Sequence, residues 1–116
     1  MPDPLPVAII ASDVLFSRLL VRLLAAAGYA PTLLTVEEAA QAGSLDAVAV
    51  LVVDLDGLAG VPMAAVPTVV LSSNPETVRW AGGRHQVAAK PVAVDEFLNA
   101  VEAMAHEDAG AVHPVD

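Results

Sequence analysis

The chain contains no cysteine, so neither a disulfide framework nor thiol chemistry is open to it. Aromatic residues make up 3% of its 116 residues, although 56% are hydrophobic. Alanine and valine supply most of that fraction, so the core is expected to be built from small and β-branched side chains. Basic residues are few: five against fourteen acidic ones, a formal net charge of −9. That balance argues against nucleic acid or an anionic membrane as a direct partner. No apolar run reaches the roughly 18–20 residues of a membrane span. Met1-Pro2-Asp3-Pro4 lacks the basic start of a secretory signal. A cytoplasmic, soluble location is therefore the expectation.

A chain of this length corresponds to one domain and can bury a core without metal or disulfide staples. Residues 1–106 are expected to form that domain. Residues 107–116 show no periodicity and are expected to be a flexible tail.

Within the domain, short apolar runs alternate with helical patterns. Val7–Ala11 reads as a buried strand, and Val14–Ala27 as a helix closed by Gly28. Pro31–Thr35 reads as a second strand. Thr35 and Glu38 have the spacing of a capping box opening a short helix through Ala42. Ala47–Val53 is continuously apolar, as expected of a central strand covered on both faces. Pro67–Leu71 and Gln86–Ala89 read as the fourth and fifth strands. Between them, Ser73-Asn74-Pro75 offers a cap and a first-turn proline for a helix over Pro75–Ala81, with Trp80 packing from it. Asp95–Ala105 is a closing helix with Phe97, Leu98, Val101, Met104 and Ala105 on one face. Five strands alternating with helices predict a doubly wound parallel sheet. Leu55–Val66, with Gly57, Gly60 and Pro62, is short for a crossover with a full helix, so the third crossover helix is expected to be missing or reduced. That would leave apolar surface open over the third and fourth strands, suited to self-association or partner binding. The first helix is apolar nearly all round, with Arg18 and Arg22 on one stripe. It reads either as a wide core face or as a face that a partner covers.

In open parallel sheets, ligand chemistry gathers beyond the carboxyl ends of the strands. Here those ends carry Ser12-Asp13, Asp54, Ser72-Ser73 and Lys90-Pro91, and Lys90 is the only lysine. Two carboxylates, a hydroxyl and an ammonium suit phosphoryl chemistry. Asp13 and Asp54 offer hard oxygen ligands to Mg²⁺, and Lys90 and Ser72 can each take an oxygen of a transferring phosphoryl group. The plain alternative is that short polar residues simply end strands. His85, His106 and His113 are scattered and read as solvated residues.

The segments IIASD, VVDLDG, VVLSS and AAKPV, in this order, resemble the response-regulator receiver domain, the CheY-like, flavodoxin-like fold with strand order 2-1-3-4-5. The resemblance spans about residues 5–105. It implies a two-component signalling module, not an enzyme, whose phosphoacceptor is Asp54 and whose phosphodonor is a histidine kinase or phosphotransfer protein. It further implies Asp13, Asp54 and the backbone carbonyl of Asp56 as Mg²⁺ ligands, Ser72 as the switch hydroxyl, Lys90 as the partner of the phosphoryl group, and a cis Lys90-Pro91 peptide. Ser12 stands where the family usually has a further acid, so weaker Mg²⁺ binding is expected. Val87 stands where an aromatic switch residue is usual, and Leu55-Asp56-Gly57 replaces the usual methionine-proline stretch. These departures leave two versions open: a working receiver, or a phosphorylation-independent module for protein–protein interaction or dimerisation. VVDLDG is also faintly similar to sulfate-transporter/anti-sigma-antagonist domains, which do not place Lys-Pro after a final parallel strand. No nucleophile–histidine pair, glycine-rich phosphate loop or metal-ligand spacing supports a small-molecule enzyme.

Overall fold

Five short β-branched strands set the frame, and the period-two alternation of their side chains divides the core. The computed structural model describes residues 4–41, 45, 47–56, 66–80 and 84–106. The elements are β1 (Pro6–Ile10), α1 (Val14–Ala26), β2 (Ala30–Leu33), α2 (Val36–Ala39), β3 (Val50–Asp54), β4 (Thr68–Ser72), a 3-10 turn (Pro75–Thr77), β5 (His85–Ala89) and α3 (Val94–Ala105). All strand pairs are parallel, in the order β2-β1-β3-β4-β5. This is the doubly wound, flavodoxin-like sheet expected from the sequence. The tail 107–116 and the crossover residues 57–65 lie outside the described residues, and with them the expectation of a reduced third helix.

Val7, Ile9, Val50, Val52, Val69 and Leu71 face one side of the sheet, where Leu20 and Leu24 of α1 and Phe97, Ala100, Val101 and Met104 of α3 cover them. The alternate residues Ala8, Ile10, Leu51 and Val53 face the other side, against Ala39, Leu34, Val66 and Trp80. Every residue of β3 and β4 is buried. The strand residues themselves therefore do not form the open apolar surface expected there, and Trp80, Leu34 and Val66 pack on the Leu51 and Val53 side of the sheet. Trp80 does so from beyond the 3-10 turn and not from a helix. Asn74 makes no side-chain cap there, and the chain is already extended at Val78.

Local chemistry fixes the helix ends. Asp13 caps α1, and Thr35 and Glu38 form the reciprocal capping box at α2. Gly28 follows α1 with φ +96°, a left-handed conformation costly for other residues. No helix among the described residues is long and apolar enough to cross a membrane.

Candidate functional site

Parallel registry brings the strand ends to one rim. Asp54 closes β3 beside Leu71, and Ser72 closes β4 beside Ala89, so Lys90 is the next residue past β5. The Lys90 amide donates to the Ser72 carbonyl at 3.1 Å, and the Leu55 amide to the Leu71 carbonyl at 2.9 Å, which continues the pairing past the rim. The Lys90-Pro91 peptide is cis.

At this rim Asp54 is 1% exposed, although it is a carboxylate. A buried charge needs a partner. Lys90 supplies it: its Nζ lies 3.0 and 3.1 Å from the two Asp54 carboxylate oxygens. The same Nζ pairs with Asp56 Oδ2 at 3.2 Å and stands 4.7 Å from the centroid of the Phe16 ring, in cation–π range. Asp56 is tied in from several sides. Its amide donates to Asp54 Oδ1 at 3.2 Å, its carboxylate accepts from the Ser73 amide at 3.2 and 3.5 Å, and its carbonyl accepts from the Ser12 hydroxyl at 3.4 Å.

Opposing effects set the proton affinities. Burial works to raise the Asp56 pKa, but hydrogen bonds from Lys90 and then Ser73 outweigh it and hold the carboxyl below its ordinary value. Burial likewise works against the Lys90 ammonium. The bonds to Asp54 and Asp56 prevail and hold it above the ordinary lysine value.

The structure thus brings Asp54, Asp56 and Lys90 into direct contact. Asp13 stands at the same rim, but its Oδ1 accepts from the Phe16 amide at 2.9 Å and caps its own helix. Ser72 is buried, and its Oγ accepts from the Asn74 amide at 3.0 Å. As placed, the donors do not fit a divalent ion: among the described residues no three His, Cys, Asp or Glu side chains form a metal-ligating group. His85 lies exposed on β5 and His106 caps the end of α3, apart from this cluster. His113 is outside the described residues. Asp56 was expected at this rim, as an acid and through its carbonyl, but not the bonds of its carboxylate to Lys90 and the Ser73 amide; the Ser73 amide and Phe16 escaped the sequence reading.

No family model matches the chain, and no curated protein matches it in sequence. Solved structures do match. A signal receiver domain of an HD domain-containing protein from Pseudomonas fluorescens Pf-5 aligns with TM-score 0.65 at 16% identity, covering 94% of this chain and 99% of that one. A protein designated pilus assembly-related from Burkholderia pseudomallei aligns with TM-score 0.65 at 21% identity over 89% of this chain and 90% of that one. A transiently phosphorylated switch of bacterial signal transduction aligns with TM-score 0.64 at 19% identity over 92% and 98%. At such identities the likeness establishes the fold, which is that of signal receiver domains.

Proposed function

We propose that the chain is a two-component receiver domain that accepts a phosphoryl group on Asp54 from a histidine kinase or phosphotransfer protein. The observation that carries this reading is the buried Asp54 carboxylate paired with Lys90 at the carboxyl rim of a receiver-fold sheet. In the transfer, an Asp54 carboxylate oxygen forms the bond to phosphorus. The bond from phosphorus to the donor's nitrogen or oxygen breaks, and its electron pair departs with the donor. Lys90 then bears on a phosphoryl oxygen where it bore on the carboxylate, and the Ser72 hydroxyl, one residue past the Leu71 that pairs with Asp54, turns toward the new group. The rearrangement biases two preexisting arrangements of the β4–β5 face that a downstream partner reads.

The phosphodonor protein docks on the start of α1. Val14, Leu15 and Leu19 are exposed there, Leu15 at 77%, directly after Asp13. A small phosphodonor should add the mass of one phosphoryl group to the wild-type chain and none to Asp54→Asn. Leu15→Glu should slow transfer from a protein donor and leave labelling by the small donor unchanged. No adduct on the wild-type chain under forcing conditions, with or without Mg²⁺, would defeat this reading. It would leave the second reading, an interaction module whose partner binding is indifferent to Asp54→Asn. The engagement of Asp13 at its own helix supports that alternative.

A further inference from the structure

We infer that the Asp56 carboxylate is a resident competitor for the phosphoryl group: it holds the Ser73 amide and a share of Lys90 at the rim where the oxyanion would form. This inference rests on the phosphoacceptor role proposed for Asp54.

The argument is a count of donors. A lysine ammonium has three N–H groups. Those of Lys90 face three oxygens, Asp54 Oδ1 at 3.0 Å, Asp54 Oδ2 at 3.1 Å and Asp56 Oδ2 at 3.2 Å. The Ser73 amide has one proton and directs it to the Asp56 carboxylate, nearest to Oδ2 at 3.2 Å. One Asp56 oxygen is therefore gripped by both donors at the rim. An oxyanion attached to Asp54 inherits the Lys90 N–H groups that now face Asp54, but it shares the cation with Asp56 and finds the Ser73 amide already taken. Asp54 cannot be the group that yields, because it is the acceptor. Asp56 can: its side chain is 36% exposed, against 2% for Asp54, so its carboxylate can turn into water. Until it turns, it also ties the loop after β3 to the loop after β4 through Ser73, holding those loops as an exogenous anion would. Asp56 thus sets how readily the site is charged and how far the empty site imitates the charged one.

The test compares Asp56→Asn and Asp56→Ala with the wild-type chain. Labelling by a small phosphodonor should be about ten-fold faster in both variants. In amide NMR spectra, the Ser73 amide proton should lie downfield in the wild-type chain and move upfield in Asp56→Ala, which lacks the acceptor that Asp56→Asn retains. Equal labelling rates in a wild-type chain that does label overturn the proposal, as does a Ser73 amide unmoved in Asp56→Ala. If no form is labelled, the phosphoacceptor reading has failed, and an inorganic phosphate titration followed at Ser73 decides the competition by itself. In an Asp54→Asn background, adding Asp56→Ala should lower the half-saturating phosphate concentration about ten-fold. An unchanged concentration overturns the proposal.

Discussion

Replacing Lys90 by methionine removes the cation and keeps most of the apolar stem that packs near Phe16. Asp54, with a side chain 2% exposed, is then left as a buried carboxylate without a countercharge, next to a second carboxylate on Asp56. Breaking a fully buried ion pair by removing one partner costs about 3–5 kcal/mol. The Lys90 side chain is 21% exposed, so water screens part of the interaction, and the expected loss is about 2–3 kcal/mol. For a chain of this size that corresponds to a fall in Tm of roughly 10 °C. Urea unfolding followed by circular dichroism reads it directly. The reasoning assigns the cost to the stranded charge and not to lost packing. The double variant Lys90→Met/Asp54→Asn should therefore recover most of the loss. A Lys90→Met loss below about 0.5 kcal/mol, within the range of an ordinary surface substitution, would refute the account of the pair. So would a double variant no more stable than Lys90→Met.

Phe97→Ala should cost about 3–5 kcal/mol by the same assay, because Phe97 is fully buried where α3 meets the sheet; a cost below about 1 kcal/mol would contradict that packing. Gly28→Ala should cost about 1 kcal/mol purely through the backbone, since a methyl group there meets nothing within 4 Å while φ is +96°; a stabilised variant would contradict it. Stability should fall at alkaline pH. Lys90 is raised by its bonds to Asp54 and Asp56 against burial, and Tyr29 is raised by burial and by Glu102. Both groups hold their protons more tightly folded than unfolded. Their contribution is complete below about pH 10 and is lost as pH rises through the folded values. Urea midpoints that stay level or rise across that window would show the sign to be wrong, and Lys90→Met should flatten part of the decline.

The sheet was legible in the sequence because its signal is local. Runs such as Ala47–Val53 are too apolar and too short for anything but a strand covered on both faces, and Gly28, Thr35 and Glu38 mark helix ends through their own backbone needs. Strand ends were displaced by one to three residues, as at β3, which begins at Val50, because pairing and not apolarity decides where a ladder starts. The short element after β4 was misread as a helix over Pro75–Ala81. Its proline permits a first turn, but the chain is already extended at Val78, which brings Trp80 onto the sheet without a helix. At the site, the convergence of Asp54, Ser72 and Lys90 on one rim was legible from their places at the ends of parallel strands. The roles of Asp13 and Asp56 were not, since a carboxylate one residue from a helix start can serve its helix as readily as a ligand. Only coordinates show that Asp13 takes the Phe16 amide while Asp56 takes Lys90 and the Ser73 amide.

The central claim is that Asp54, and no other acid at the rim, is the nucleophile. Borohydride trapping of the phosphodonor-treated chain, followed by peptide mapping, tests it most directly, because reduction of an aspartyl phosphate leaves homoserine at the modified position. Homoserine at position 54 alone is the predicted result; homoserine at position 13 or 56, or at none, would contradict it.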